Sequence, residues 1–159
     1  MALFNMPLLE MRELRAGLGR GQRLIGIDPG AKRVGVALSD AMLSLASPYG
    51  VLPRGKLKTI AAELRALASR EDAGGLVVGW PLGMDGSVGP AAQAVRDWAR
   101  DLSAAAGLPA ALWDEQLSSV AVNEHMTEVL NLTRRKRAAR VDAAAAAYIL
   151  QAALDATAR

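Results

Sequence analysis

The hydrophobic period of this 159-residue chain changes near residue 55, and that change indicates a mixed α/β fold. Before it, apolar runs predict three strands, and the turn residues Pro29 and Gly30 separate the first two. After it, helical patterns alternate with strand patterns. The predicted strands are 23–28, 33–40, 47–53, 75–80 and 109–115, and the predicted helices are 56–71, 90–106, 118–130 and 141–158. The order βββαβαβαα implies a mixed five-stranded sheet flanked by helices.

The length of the chain suits a single domain. We predict a weakly amphipathic N-terminal extension at 1–21 and the domain itself at 22–159. No apolar run approaches the roughly 20 residues of a membrane span. The N-terminus also lacks the basic, apolar and small-residue order of a signal peptide. We therefore expect a cytoplasmic protein that does not bind membranes.

The composition excludes several kinds of chemistry. There is no Cys, so disulfides, thiolate metal ligands and cysteine catalysis are absent, and the single His125 argues against a multi-histidine metal site or a Ser-His-Asp triad. Carboxylates, hydroxyls and basic side chains remain as the groups that could carry out chemistry. The formal net charge of +3 favours an anionic partner. A basic cluster consists of Arg134, Arg135, Lys136, Arg137 and Arg140.

Three acidic residues stand where a ligand site is expected. Asp28 ends the first strand, Glu115 ends the fifth, and Asp142 opens the last helix. Each position also has an ordinary structural explanation. Asp is common in turns, which would account for Asp28, and Glu115 could accept hydrogen bonds from the N-terminus of the next helix. An acid in the first turn of a helix, as predicted for Asp142, interacts favourably with the helix dipole. Asp114 points to the opposite face from Glu115, since side chains alternate along a strand.

Taken together, the three acids suggest a metal site. Clustered carboxylates repel one another unless a cation neutralises them, and oxygen ligands favour Mg²⁺ or Mn²⁺. Carboxylate-bound metals catalyse phosphodiester cleavage. Lys32, Arg33 and the basic cluster would then hold the phosphate backbone. The residues therefore predict a metal-dependent nuclease.

Four ordered blocks spanning about 23–155 carry a family resemblance. They are IGIDPGAKRVGVALSD (25–40), VVGWPLGMDGSVGPAAQAVRDWA (77–99), DEQLSS (114–119) and LTRRKRAARVDAAAAAYILQAALD (132–155). In these blocks the chain resembles the bacterial YqgF/RuvX proteins, which are described as pre-16S rRNA nucleases and as Holliday-junction-resolvase-like proteins with an RNase H-like fold.

The resemblance implies that the three acidic positions of the family correspond to Asp28, Glu115 and Asp142. It also implies processing of the 5′ end of pre-16S rRNA in ribosome biogenesis, on RNA or ribosomal precursor particles, by a monomer or homodimer. One position departs from the family: Gln116 stands where the family often has Arg. The loss of that cation would weaken phosphate contact, while the adjacent acid is retained.

Other functions remain open at this stage. The same acids would serve a resolvase of branched DNA, which normally acts as a two-fold dimer. A non-catalytic nucleic-acid-binding module would keep the acids for structure alone. An actin-like ATPase shares the Asp-x-Gly hairpin, but it needs two lobes around a cleft, and this chain supplies one such hairpin.

Overall fold

The structure is a computed structural model that describes residues 7–115 and 134–158. Its strands are β1 (Arg23–Pro29), β2 (Arg33–Ser39), β3 (Ala46–Pro53), β4 (Ala73–Trp80) and β5 (Ala110–Asp114), and its helices are α1 (Met11–Ala16), α2 (Leu57–Glu71), α3 (Pro90–Ala106) and α4 (Arg134–Thr157). The predicted mixed five-stranded sheet flanked by helices is confirmed. The predicted helix at 118–130 lies outside the described residues.

The strand order of the sheet is β3-β2-β1-β4-β5. The first three strands form an antiparallel meander, whereas β1, β4 and β5 run parallel. The C-terminal ends of β1, β4 and β5 therefore share one edge of the sheet with the start of β2 and the end of β3. We call this edge the catalytic edge. In the register, Asp28 lies opposite Gly35, and Arg33 opposite Pro53.

Because successive side chains of a strand point to opposite faces of the sheet, the core has two layers, one on each face. One layer packs β-strand side chains such as Ile27 and Val78 against α2 and α3, where Leu64 and Leu102 are buried. On the other face, Leu24, Val77 and Ala111 pack against α1 and α4. Asp28 and Glu115 follow Leu24 and Ala111 at even spacing, so both belong to the α4 face.

Glycines let α4 approach the sheet closely. A Cβ atom on Gly35 would overlap the backbone oxygen of Asp142, and one on Gly26 would lie 2.9 Å from the backbone oxygen of Ala146. With any larger residue at these positions, the helix would have to move away. These contacts place the middle of α4, from Asp142 to Ala146, over β2 and β1. None of the described helices, including the 24-residue α4, is long and apolar enough to cross a membrane.

The described part of the predicted N-terminal extension packs on the domain. The backbone N–H of Leu9 donates to Ala110 O at 2.8 Å, and Leu9 forms a parallel bridge with Ala111. Met11 and Leu14 of α1 are 4% and 1% exposed and contribute to the α4-side core. Residues 7–16 therefore attach to β5 through one bridge and cover part of one face of the sheet, which the sequence pattern does not predict.

Candidate active site

Asp28 and Glu115 meet at the catalytic edge. Asp28 comes from the end of β1, and Glu115 comes directly after β5, two strand positions away. The two carboxyl groups are hydrogen-bonded to each other. Asp114, the preceding residue, is exposed, as expected from the alternation of side chains. The structure thus brings together two of the three predicted acids.

The position of Glu115 depends on β4. Its backbone N–H donates to Trp80 O at 3.2 Å, which continues the ladder between β4 and β5 by one residue. A Cβ atom on Gly79 would lie 2.7 Å from Glu115 Oε2 and 2.6 Å from Ile149 Cδ1. The absence of a side chain at Gly79 therefore makes the space that the carboxyl group occupies beneath α4.

The pKa values of both carboxyl groups are raised. The pKa of Asp28 rises to about 6, chiefly because the group is buried and secondly because of the charge on Asp142, while the hydrogen bond from Glu115 opposes the rise. The pKa of Glu115 rises to about 7 because of burial, then the charge on Asp28, the hydrogen bond to it and the charge on Asp114. A neighbouring cation would relieve these repulsions.

Asp142 lies near Asp28 but has a different partner. Its Oδ2 accepts a hydrogen bond from Arg33 Nε at 2.5 Å. The pair joins α4, at its ninth residue, to the start of β2, close to the contact at Gly35. Because the Arg33 side chain is 40% exposed, solvent screens much of this attraction. Arg33, predicted to hold phosphate, is thus paired with an acid in this arrangement.

The donor chemistry of the site suits a hard divalent cation. Asp28 and Glu115 offer adjacent carboxylate oxygens, which Mg²⁺ and Mn²⁺ prefer. Within residues 7–115 and 134–158, however, no three acidic or histidine side chains are grouped closely enough to hold a metal ion. Asp28 and Glu115 thus supply two oxygen donors that fit such a cation, whereas Asp142 is paired with Arg33.

Of the predicted basic residues, Lys32 and Arg140 are exposed to solvent in the described part of the structure. Lys32 is exposed in the turn between β1 and β2, and Arg140 is exposed on α4, two residues before Asp142. Helix α4 begins at Arg134, seven residues before the predicted start at 141, so the prediction that Asp142 opens this helix is wrong and Asp142 lies beyond its first turn. The side chains of Arg134, Arg135, Lys136 and Arg137 lie outside the described part of the structure, as does Gln116.

Arg54 is a site-edge residue that the sequence analysis does not identify. Its Nη1 donates to Gly30 O at 2.9 Å, and its guanidinium carbon lies 4.6 Å from the centre of the Trp98 ring. These contacts connect the turn after Asp28 to α3. A lone Arg after a strand gives no signal for such a role, because Gly30 and Trp98 are distant from it in sequence.

Comparisons with known proteins agree with this fold. A family model described as "RuvX: Holliday junction resolvase" matches residues 22–156. A relative from Gluconacetobacter diazotrophicus is 61% identical over 96% of this chain and 99% of its own length. Another from Acidiphilium cryptum is 54% identical over 94% of each chain. Both carry the name "Putative pre-16S rRNA nuclease".

A solved structure gives independent support for the architecture. RuvC from T. thermophilus in complex with a Holliday junction substrate aligns with 85% of this chain and 94% of its own, at a TM-score of 0.51 and 19% identity. At that identity the likeness concerns the fold, which is RNase H-like as predicted. With the family match over most of the chain and relatives above 50% identity, this protein belongs to the RuvX family.

Proposed function

We propose that this chain is a metal-dependent nuclease that hydrolyses phosphodiester bonds at the 5′ end of pre-16S rRNA. The observation that supports it most is the meeting of Asp28 and Glu115 at the catalytic edge, with the pKa of each carboxyl group raised. Two adjacent carboxylates that oppose each other's ionisation suit a divalent cation. The names of the relatives support the RNA substrate. We place this activity in the cytoplasm, on RNA or ribosomal precursor particles.

Each site residue has a role in this proposal. Asp28 and Glu115 would hold Mg²⁺ or Mn²⁺, and Asp142 would complete the ligand set. When bound, the metal supplies a template for the scissile phosphate and stabilises the charge that develops there. Arg33, released from Asp142, would contact the substrate backbone together with Lys32. Arg140 and the run Arg134–Arg137 would bind phosphates beside α4.

A branched-DNA substrate is the second candidate. The description of the matching family names a Holliday junction resolvase. The same carboxylates would serve either substrate, because both reactions cleave a phosphodiester. A resolvase cuts two strands symmetrically and therefore requires a two-fold dimer. Oligomeric state and the symmetry of the cuts distinguish the two substrates.

The decisive experiment compares cleavage of a labelled pre-16S rRNA fragment and a four-way DNA junction, each with Mg²⁺, Mn²⁺ or EDTA. The variants are Asp28→Asn and Asp142→Asn. Asp72→Asn is the matched control, because Asp72 is an exposed acid at the other edge of the sheet and its left-handed φ of 53° is tolerated by Asn. Since losing an outer-shell partner already costs about 10–100-fold, losing a ligand should lower activity more than about 100-fold.

The expected result is metal-dependent cleavage of the RNA that is lost in both site variants and kept in the control. Paired, symmetric nicks in the junction by a dimeric protein would assign the DNA substrate instead. Cleavage that survives in both purified site variants would contradict the carboxylate site. Binding without any cleavage of either substrate would favour a non-catalytic module.

A further inference from the structure

The segment from Arg54 to Lys58, called here the basic loop, consists of the connection after β3 and the first two residues of α2, and it lies at the catalytic edge. It follows the end of β3, which pairs with the start of β2 through Pro53 and Arg33. The sheet order places β3 two strands from β1, about 10 Å at the usual strand spacing. The basic loop therefore lies on the β3 side of Asp28, whereas Glu115 lies on the β5 side.

The positive charge of the basic loop is not neutralised nearby. It carries Arg54, Lys56 and Lys58, and the sequence contains no acidic residue from 41 to 62. Lys56 and Lys58 are both exposed. Among the described residues, none of the three is in an ion pair. The loop thus presents a concentrated positive charge to solvent at the edge that holds the candidate site.

Lys56 and Lys58 lie at the N-terminus of α2, where a positive charge is unfavourable for the helix. Lys56 is the N-cap of α2, Lys58 is in its first turn, and that turn has neither an acidic residue nor a side-chain cap. Cations at this end oppose the helix dipole, which favours acids there. Residues that disfavour the local structure, with no contact that compensates, are expected at functional sites. An anionic ligand would supply the missing negative charge.

Arg54 fixes the basic loop against the turn that follows Asp28. Its backbone N–H donates to Lys32 O at 2.9 Å, and its Nη1 donates to Gly30 O at 2.9 Å. The guanidinium group also packs over the Trp98 ring. These contacts hold the basic loop beside Lys32, so exposed lysines of both segments lie at the same edge of the sheet.

We propose that the basic loop binds the phosphates of a single-stranded RNA that passes from Asp28 over the β3 side of the catalytic edge, with Lys56 and Lys58 as the contacting residues. The inference rests on the proposed function and deepens it, because it gives the substrate strand a path from the carboxylates across the strand ends to the N-terminus of α2. Arg54 acts as a positioning residue that keeps this path aligned with Lys32.

The test measures binding of a labelled single-stranded pre-16S rRNA fragment in EDTA, so that no cleavage occurs. The double variant Lys56→Gln/Lys58→Gln is compared with Arg20→Gln/Arg70→Gln, which removes the same charge from exposed residues at the opposite edge. Each phosphate that the protein neutralises on a single strand contributes about 0.7 to the slope of log affinity against log salt. We therefore expect this slope to fall by about 1.4 for the lysine variant and to stay unchanged for the arginine variant. The affinity of the lysine variant should fall several-fold.

Three outcomes contradict the proposal. Unchanged binding by the lysine variant, an equal loss in the two double variants, or no RNA binding by the wild type would overturn it. The thermal midpoint provides a folding control, and we expect the lysine variant to melt no lower than the wild type. Wild-type protein that binds through the lysines but cuts nothing with Mg²⁺ would contradict the nuclease and leave the binding surface intact.

Discussion

The carboxyl group of Asp28 destabilises the fold when it is charged and no metal is bound. Its pKa of about 6 in the folded protein exceeds the ordinary value of 3.8, and that of Glu115, about 7, exceeds 4.5. The folded state therefore binds these protons more tightly than the unfolded state. Their contribution to stability is fully present below about pH 4 and is lost as the pH rises through about 6 to 7.

The Asp28→Asn substitution should therefore stabilise the metal-free protein while abolishing cleavage. At about pH 8 we expect a higher thermal midpoint than for the wild type, by about 2–4 °C for each kcal/mol of repulsion removed in a chain of this size. At about pH 5 the difference should shrink, because the wild-type carboxyls are then largely protonated. Thermal melts in EDTA at the two pH values check this.

Added Mg²⁺ should raise the wild-type midpoint at about pH 8 more than that of Asp28→Asn, since binding to the folded state alone stabilises it. Asp72→Asn removes one charge from an exposed site and should behave like the wild type in both melts. A lower midpoint for Asp28→Asn in EDTA would show that the charged carboxylate stabilises the fold, contrary to the expectation.

The sequence predicts these site residues unevenly. Asp28 and Glu115 end apolar runs of strand character, and parallel strands bring such ends to one edge, so their meeting follows from the pattern. The partner of Asp142 does not follow. Arg33 is 109 residues away along the chain, and the pair depends on where α4 crosses β2. Periodicity contains no information about that crossing.

The element that completes the site is α4, and its closeness to β2 depends on Gly35. We expect Gly35→Ala to destabilise the protein by about 1–3 kcal/mol, the usual cost of overpacking, because the new Cβ would overlap the backbone of Asp142. Cleavage should fall as well, since α4 and Asp142 would move. Denaturant unfolding and the RNA cleavage assay measure the two effects.

Gly50→Ala is the matched control for this change. Gly50 belongs to β3 of the same sheet, and a Cβ atom there meets nothing within 4 Å. It should unfold and cleave like the wild type. Equal behaviour of Gly35→Ala and Gly50→Ala would mean that α4 does not require the close contact at β2.

Most elements could be predicted because their patterns are long or strongly apolar. The strand predicted at 33–40 is found at Arg33–Ser39, and the helix predicted at 56–71 at Leu57–Glu71. Helix α1 has six residues, less than two turns, so its period cannot be read in MRELRA. Tertiary packing of Met11 and Leu14, which the local pattern does not reveal, accounts for its place in the fold.

At the scale of the whole molecule, the N-terminal segment contributes to the α4-side core. Leu14 is 1% exposed and contacts the glycine-rich start of β4 near Gly75. We expect Leu14→Ala to lower the free energy of unfolding by about 2–5 kcal/mol, the range for a buried Leu. Urea titration followed by far-UV circular dichroism measures the change.

Met42→Ala serves as the control for this prediction, because Met42 is 82% exposed and its truncation removes little buried surface. Its unfolding midpoint should match the wild type. If Leu14→Ala also matched the wild type, residues 1–21 would be the separable extension that the sequence pattern suggests, and the core would not require α1.

The arrangement of α4 also bears on the order in which a nascent chain acquires its site. Asp28 is synthesised early, on a meander whose strands are close in sequence and can pair as soon as β3 has emerged. Glu115 and then Asp142 follow much later, and α4 comes after every other described element. A ribosome-bound intermediate that lacks α4 would therefore carry the first carboxylate without the helix that covers it. The proposed carboxylate site is thus completed late in synthesis, after the sheet has formed.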